Sequence, residues 1–541
     1  TGISQTARLA NIPKTPDPGP STLGSSDGEI LITAEGGIFL NPQRGHISYL
    51  RNIEILDPRF NLSAGGHLRV FFPPQDLTEA IKSSEDSQGA STTRSSQGEG
   101  GQPEKTFSEI VDPYLFVVSG GVRLVLKDSS GTEPSTIATG ETVVIDRRTG
   151  DIVLQGGTPT VRRGLSSLTA GEPSLYLRIY ENGDVYAEEG SWTTTGNLAS
   201  EGGQRKNLSP ADPAADEKSS VDKEAITVSC EGGLYLNASE GQIVYLDQIL
   251  VLHPNFRVEA EDEVKIFFNR KEGTPSTPEA FSDVQHIVAS GGVRLVQKTT
   301  NISNPPLTAT AEHAIVDVEN ANIILKGGTP FLGVGDNFLR AGAPDLYMRL
   351  YQNGSLFAEP GPWITTGALS ESKEGQEPEL ITETSEGGLH FDAVKGQVTY
   401  LGEIVVQEPR FRLRCDKSMR ITLAPSAATG GMTPKGPEAF SEVDKIVALG
   451  SVLISRIPNP GAPPVVAKSA AATYETSSGT LALRGGRPAI QQGNSFFEAR
   501  EDDLYILFYS NGSFELSRGS WEQFFDLRDN NFEKLRQQGK D

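Results

Sequence analysis

The chain has 541 residues and a formal net charge of −22, with 48 Lys and Arg residues against 70 Asp and Glu residues. Such an acidic chain lacks the basic surface that binds nucleic acid or an anionic membrane, so the charge argues against nucleic acid as a partner. No apolar run approaches the roughly 18 residues of a membrane-spanning helix, so we expect the chain as given to be soluble. Its length allows three or four domains, each with its own core.

Composition and motif spacing divide the chain into three equivalent modules joined by polar segments. The first 28 residues are rich in Pro, Ser, Gly and Thr, and residues 75–105 carry a Ser, Gln, Gly and Glu tract without apolar periodicity. The predicted segments in chain order are a disordered lead (1–28), module 1 (29–196) with its flexible insertion (75–105), a linker (197–224), module 2 (225–367), a short acidic linker (368–379), module 3 (380–524) and a tail (525–541).

The modules are three copies of one pattern with nearly constant spacing. Each opens with a Glu-Gly-Gly motif, whose second Gly precedes a Tyr by 12 residues, and each ends near a Trp at one equivalent position. Constant spacing indicates one structural unit used three times, which favours a scaffold or an extended binding surface over a single catalytic pocket. The motifs are Glu35-Gly36-Gly37, Glu231-Gly232-Gly233 and Glu386-Gly387-Gly388, followed by Tyr49, Tyr245 and Tyr400 and later by Trp192, Trp363 and Trp521.

Short alternating runs and frequent turn residues predict antiparallel strands throughout. Alternation is visible in Gly45–Tyr49 and Leu175–Tyr180. Asn182-Gly183 and its two equivalents lie between such runs, where Asn-Gly supplies the two positive-φ positions of a tight hairpin turn. Helical periodicity longer than about two turns occurs only from Trp521 to Gln538, a candidate terminal helix. The sequence therefore predicts an essentially all-β protein.

The sequence offers no pattern of catalytic or metal-binding residues. The six histidines share no position between modules and lack metal-ligand spacing. Recurring polar positions, such as Glu35 and Arg69, fit interactions between neighbouring strands better than catalysis in triplicate. We therefore expect neither an enzyme nor a cofactor. Cys230 and Cys415 occupy non-equivalent positions, so we interpret them as two buried or free thiols instead of a disulfide.

The repeated motifs resemble those of the OstA-like family, named for organic-solvent tolerance, which includes the periplasmic bridge proteins of lipopolysaccharide transport. The resemblance lies in the runs Tyr400–Val406, Ala448–Ile454 and Ile323–Pro330, and it covers each of the three modules in order. It implies three tandem twisted antiparallel β half-pipes, or β-jellyrolls, open along one side, with an apolar interior that shields acyl chains. At the Asn of the family's Gly-Asn-Val turn this chain has Gly121, Gly292 and Ser451.

From this resemblance we expect an exported, non-catalytic protein of the periplasm or cell envelope of a Gram-negative-type bacterium. It would bind or convey the acyl part of lipopolysaccharide or another envelope glycolipid along an apolar groove. Its strand edges would pair with other envelope proteins or with a second copy of the chain. The candidate groove residues are Ile38, Leu40, Ile53, Ile55, Phe60, Leu234, Leu236, Ile249, Val251, Phe256, Leu389, Phe391, Ile404, Val406 and Phe411.

Two other functions fit the same sequence. A structural or adhesive envelope scaffold would fill the interior of each module with a closed core. A carbohydrate-binding array would expose the three Trp residues as platforms for stacking sugars, whereas a Trp that closes the core of its module would be buried. The sequence favours buried Trp residues, because each one stands at the end of its module.

Overall fold

In the computed structural model, every regular element of the described residues is a β-strand, and the strand pairs are antiparallel. The predicted all-β class is therefore confirmed. None of these residues forms a helix that could cross a membrane. The described residues are 30–41, 44–73, 113–127, 135–164, 166–197, 225–253, 256–270, 281–297, 306–318, 320, 322–335, 337–368, 380–408, 411–425, 440–456, 464–493, 495–511 and 513–525.

The described residues form 42 strands, which follow one another in three sets of fourteen. The first set is β1 (Leu31–Thr33), β2 (Ile38–Asn41), β3 (His46–Leu50), β4 (Ile53–Leu56), β5 (Phe60–Ala64), β6 (His67–Phe71), β7 (Leu115–Leu126), β8 (Thr136–Asp146), β9 (Ile152–Gln155), β10 (Thr160–Arg163), β11 (Ser166–Ala170), β12 (Tyr176–Ile179), β13 (Val185–Ala187) and β14 (Trp192–Asn197). The second set is β15 (Ala225–Cys230), β16 (Leu234–Asn237), β17 (Gln242–Leu246), β18 (Ile249–Leu252), β19 (Phe256–Ala260), β20 (Glu263–Arg270), β21 (Phe281–Gln297), β22 (Leu307–Asp317), β23 (Asn322–Lys326), β24 (Phe331–Val334), β25 (Asn337–Ala341), β26 (Tyr347–Leu350), β27 (Leu356–Ala358) and β28 (Trp363–Ala368). The third set is β29 (Leu380–Ser385), β30 (Leu389–Asp392), β31 (Gln397–Leu401), β32 (Ile404–Glu408), β33 (Phe411–Cys415), β34 (Ser418–Pro425), β35 (Phe440–Arg456), β36 (Val465–Glu475), β37 (Thr480–Arg484), β38 (Ala489–Gln492), β39 (Ser495–Ala499), β40 (Tyr505–Phe508), β41 (Phe514–Leu516) and β42 (Trp521–Phe525).

These strands belong to two compact units. Unit 1 comprises Thr1–Thr195 with Tyr235–Ser239, and unit 2 comprises Gly196–Leu234 with Glu240–Asp541. Most of β16 belongs to unit 1, where it pairs with β13. The second and third strand sets otherwise share unit 2, so the compact units do not follow the three-module division, which stays a prediction.

In unit 1 the strands form two walls. Wall 1 contains β2, β3, β6, β9, β12 and β13, and wall 2 contains β1, β4, β5, β10, β11 and β14. The long strands β7 and β8 belong to both walls. The first half of β7 pairs with β6 in wall 1 and its second half pairs with β5 in wall 2, with a register shift between Ser119 and Val122. A β-bulge of this kind bends the strand pair and lets one ladder serve both walls.

Unit 2 repeats this arrangement. The long strands β21 and β35 each pair with one strand of wall 1 and one of wall 2, and their ladders shift register between Ser290 and Val293 and between Leu449 and Val452. Within the unit, β27 pairs with β30 in wall 1 and β28 pairs with β29 in wall 2. Both walls are therefore continuous from the second strand set into the third.

In unit 1 the chain crosses between the walls along one side, which we call the spine. Successive crossings are joined by backbone hydrogen bonds: Arg51 N donates to Gly66 O at 2.7 Å, and Gly65 N donates to Gly120 O at 2.9 Å. Gly120 has a φ of +98°, and a Cβ there would lie 2.4 Å from Gly66 N. Only glycine allows the backbones to approach this closely, so the Gly-Gly pairs of the sequence build the spine.

The opposite side of unit 1 carries hairpin turns and loops that join strands of the same wall. The strands β2 and β3 follow each other in wall 1, and residues 57–59 join β4 to β5 in wall 2. Among the described residues no strand crosses between the walls on this side. Unit 1 is therefore a half-pipe that is open along one side, and we call the two rims of this opening the lips.

The Asn-Gly hairpins form where the sequence predicts them, but the expected tight two-residue turn is wrong. The strand β12 ends at Ile179 and β13 begins at Val185. Between them Gly183 has a φ of +87°, whereas Asn182 has no positive φ. The Asn182 Oδ1 instead accepts a hydrogen bond from Asp184 N at 3.0 Å. An Asn side chain that bonds the backbone two residues on stabilises this wider turn.

Other sequence predictions have mixed outcomes. The candidate helix from Trp521 is wrong over Trp521–Phe525, which form β42 and pair with β39. Cross-strand pairing outweighs local helical periodicity here. The predicted lead (1–28), the insertion (75–105), the linkers (197–224 and 368–379) and the tail (525–541) lie outside the described residues, apart from Asn197, Ala368 and Phe525, which end strands.

Candidate functional site

The inner faces of the two walls, which face each other, are apolar and closely packed. In wall 2 of unit 1, Ile55 lies opposite Leu62, which lies opposite Leu124. In wall 1, Leu68 lies opposite Val118. Ile55, Leu68, Val118 and Leu124 are 0% exposed. Burial of whole aliphatic side chains, each contributing about 1.5–3 kcal/mol, makes this inner face the core of the unit.

Unit 2 carries the same inner face in both of its strand sets. Val228 lies opposite Val251, which lies opposite Val258, and all three are buried. In the third strand set, Val406 lies opposite Leu413, and both are buried. The apolar row of wall 2 therefore recurs at equivalent positions in the second and third strand sets.

Strand alternation assigns all fifteen candidate groove residues to inner positions, which answers a question that the sequence leaves open. Contact of these side chains with lipid stays a prediction. Nine are buried: Ile53, Ile55, Phe60, Leu234, Ile249, Val251, Leu389, Ile404 and Val406. Four are half-buried: Leu236, Phe256, Phe391 and Phe411. Two are exposed: Ile38 and Leu40.

The exposed pair marks an open end of the inner face in unit 1. Ile38 and Leu40 lie opposite Tyr49 and Ile47 of β3, and within the described residues β2 has no partner strand on its other side. Ile38 is 68% exposed, whereas its equivalents Leu234 and Leu389 are buried. Leu40 is 38% exposed, whereas its equivalents Leu236 and Phe391 are half-buried. Phe39 points to the outer face of the same strand and is 59% exposed. Apolar inner positions are thus accessible from solvent at this end.

The Trp residues close the interior. Trp192 is 0% exposed and Trp363 is 1% exposed, and Trp521 is half-buried. Each indole Nε1 donates a hydrogen bond to the backbone carbonyl four residues earlier, at 2.8–2.9 Å. An indole in this position fills the core and satisfies its one donor. Trp192 and Trp363 therefore lack the exposure that a sugar-stacking platform requires.

One polar group on the inner face is absent from the sequence predictions. Glu383 of β29 lies opposite Thr365 on one side and Val406 on the other, at the inner position that Ile32 and Val228 occupy in the other strand sets. Its carboxyl group is enclosed although the residue as a whole keeps partial exposure, and it forms a hydrogen bond with Tyr400 of wall 1. Burial raises the pKa of Glu383 to about 7, against the smaller opposite effect of Tyr400.

Tyr400 completes this bridge between the walls. Its side chain is 3% exposed and lies beside the Thr365 hydroxyl, and burial together with the Glu383 charge raises its pKa well above the usual value. Ser385 Oγ, two residues from Glu383, is buried without a hydrogen-bond partner among the described residues. The sequence does carry a signal for this site. When the three repeats are aligned, Glu383 is the ionisable residue at a position where Ile32 and Val228 are aliphatic.

Both cysteines are buried thiols outside any disulfide, as the sequence predicts, and Cys230 Sγ donates a hydrogen bond to Gly233 O at 3.2 Å. Burial raises the pKa of the Cys415 thiol to about 11, so it stays protonated at neutral pH.

No protein-family model matches the sequence, and no curated protein is similar to it. Among solved structures, the chain is similar to LptH from Pseudomonas aeruginosa, described as the LptA homologous periplasmic component of the conserved lipopolysaccharide transport device. The two are 13% identical with a TM-score of 0.21, and the match covers 27% of this chain and 94% of LptH.

Proposed function

We propose that this chain is a non-catalytic cell-envelope protein that holds the acyl portion of a lipopolysaccharide-like glycolipid between the two walls of its half-pipe. The observation that carries the proposal is the apolar inner face of unit 1, which is accessible at Ile38 and Leu40 and is bordered by an open side. An apolar surface of this kind removes hydrocarbon from water without needing a catalytic group.

The open side gives an acyl chain a route to the inner face. On this side the walls are joined within themselves by hairpin turns, so separating the lips breaks no strand pairing between walls. The spine keeps its backbone hydrogen bonds during such a movement. A ligand that lies along the half-pipe would replace contacts between walls with contacts to its own methylene groups, each worth about 0.8 kcal/mol.

Cationic side chains along the lips of unit 1 suit an anionic headgroup. Arg44 lies in the turn after β2, Arg148 in the turn after β8, Arg59 in the turn before β5 and Arg163 at the end of β10. Arg59 pairs with Asp57 at 3.2 Å, and Arg148 pairs with Asp146 at 2.9 Å. Guanidinium groups recognise phosphate in bidentate geometry, so phosphate can bind at the lips of a chain whose net charge is negative.

The free strand edges support partners of the β-augmentation kind. Within the described residues, β1 pairs with β4 alone, β41 pairs with β40 alone and β42 pairs with β39 alone. Such edges pair with other envelope proteins or with a second copy of the chain. Export to the periplasm or cell envelope belongs to the same proposal, because that is where glycolipid and such partners meet.

The second candidate function is a structural envelope scaffold. The observation that favours it is the packing of the inner face, because Ile55 and Leu124 have no exposed surface. In this case the interior is a permanent core and the repeats serve to present their outer faces.

Titration followed by native mass spectrometry separates these functions. The purified chain is mixed with a lipid A-type glycolipid, with a phospholipid and with a soluble oligosaccharide. The proposal predicts glycolipid adducts at micromolar concentration and none with the oligosaccharide. An unliganded mass at every glycolipid concentration would instead support the scaffold.

A further inference from the structure

The bridge between Glu383 and Tyr400 joins the two walls of unit 2 through one hydrogen bond, beside Thr365 and Val406. Glu383 stands on wall 2 and Tyr400 on wall 1, so any separation of the walls at this level breaks their contact. At the equivalent position the second strand set has the aliphatic residue Val228, opposite Val251. The third set therefore contains an ionisable side chain where the second set has an aliphatic one.

We propose that Glu383 and Tyr400 form a pH-sensitive latch between the walls, closed while the Glu383 carboxyl keeps its proton and loosened when it ionises. The physical basis is the cost of a buried charge: one hydrogen bond from Tyr400 does not replace the water that an ionised carboxylate requires. Burial raises the pKa of Glu383 and the hydrogen bond from Tyr400 lowers it. The effect of burial is the larger one, so the pKa is raised to about 7.

Among the side chains around the bridge, Glu383 is the one whose pKa lies near neutral pH. The adjacent strands place Thr365 and Val406 beside it, and neither ionises. From the opposite wall Tyr400 faces it, with its pKa well above the usual value. Cys415 lies on wall 2, as Glu383 does, and the pKa of its thiol is raised to about 11. No other charge contributes to the shift of the Glu383 pKa among the described residues.

The direction of the effect follows from proton linkage. The closed state has a raised pKa, so it binds more protons than an open state whose carboxyl is solvated and titrates near 4.5. Closure is therefore most stable at low pH and weakens as pH rises from about 4.5 to about 7. Above pH 7 the Glu383 carboxyl is ionised in both states and the loss reaches its full value.

Hydrogen exchange of the full chain at pH 6 and pH 8, corrected for the intrinsic exchange rate, tests the latch without any lipid. We expect protection of residues 380–401 to fall about tenfold between these pH values, because the closed state loses stability to ionisation. Residues 225–246 form the matched internal control, since Val228 stands there in place of Glu383. Their protection should not change with pH.

Two substitutions make the result specific. Glu383→Gln removes the titratable carboxyl and keeps a hydrogen-bonding group. Glu383→Val places the residue of the second strand set at this position, and it serves as the test if the Gln variant folds poorly. Both should show equal protection of residues 380–401 at the two pH values. Unchanged protection in the wild-type chain, an equal loss in residues 225–246, or the same loss in both variants would overturn the proposal. Because no ligand is present, such a failure leaves the lipid-binding proposal untouched.

Discussion

Single residues with left-handed backbone conformations explain why the strand sets differ in one spine turn. Ser451 has a φ of +41°, and its equivalents Gly121 and Gly292 have φ values of +70° and +61°. An L-residue in this region costs about 1–2 kcal/mol relative to ordinary conformations. The third strand set therefore carries strain that the other two avoid.

Replacing Ser451 with Gly should stabilise the chain. The relief of about 1–2 kcal/mol is partly offset by about 0.5–1 kcal/mol of extra backbone entropy in the unfolded state, which leaves a gain of about 0.5–1 kcal/mol. Chemical denaturation of S451G against the wild type measures this difference. The reciprocal variant, Gly292→Ser, should lose a similar amount, and a stable G292S together with a destabilised S451G would contradict this explanation.

Residue identity also limits how much of the site can be predicted from sequence. Alternation in β4 separates Ile53 and Ile55 from Glu54, but β2 reads Ile38-Phe39-Leu40 and gives no clue to its inner face. The face is decided by pairing with β3, which is a tertiary feature. Positions that the repeats share do not indicate Glu383, because the repeats differ there and have Ile32 and Val228 in its place.

At the scale of elements, the bend of β7 depends on the glycine pair at its bulge. Gly120 and Gly121 both have positive φ, but their surroundings differ. A Cβ on Gly120 would lie 2.4 Å from Gly66 N and 2.5 Å from Gly66 Cα, whereas one on Gly121 would meet nothing within 4 Å. This adjacent pair separates backbone strain from steric clash.

We expect Gly120→Ala to destabilise the chain by about 3 kcal/mol, because the clash with backbone adds about 1–3 kcal/mol to the conformational cost. Gly121→Ala should cost about 1 kcal/mol from conformation alone. Thermal or chemical denaturation of both variants gives the comparison. Equal losses would show that the close approach of the two crossings does not support the spine.

The elements themselves were largely predictable, because turn chemistry and apolar alternation are local. Asn182-Gly183 correctly places a hairpin between β12 and β13. The tight turn was wrong because the Asn182 side chain bonds the Asp184 amide, an interaction that competes with the two-residue turn. The candidate helix was wrong because β42 pairs with β39, and local periodicity carries no information about that distant partner.

At the scale of the whole molecule, the free edges predict association of the chain with itself. In unit 2 the pairing of β28 with β29 places Thr366, the equivalent of Phe524, opposite Thr382, the equivalent of Leu31. If β42 of one copy pairs with β1 of the next in the same register, Phe524 lies opposite Leu31. These two side chains are 45% and 56% exposed in the single chain, so pairing would bury apolar surface at both edges.

Light scattering over a range of concentrations should therefore show masses above the monomer. Leu31→Glu and Phe524→Lys should each weaken association about tenfold, since each places a charge against an apolar side chain. A mixture of the two variants should associate again, because Glu then faces Lys. Val394→Glu, at an exposed apolar residue in the turn after β30, is the control and should have no effect. A monomer at every concentration would contradict self-association.

The central claim is that the inner face of the half-pipe holds acyl chains. The most direct measurement is native mass spectrometry of the chain purified without denaturation from a Gram-negative host, comparing the wild type with an Ile38→Glu, Leu40→Glu double variant and with Phe39→Glu. We predict glycolipid adducts in the wild type and in F39E, whose charge lies on the outer face of the same strand, and an about tenfold loss in the double variant, whose charges lie on the inner face. Adducts absent from the wild type, or lost equally in F39E and the double variant, would contradict the claim.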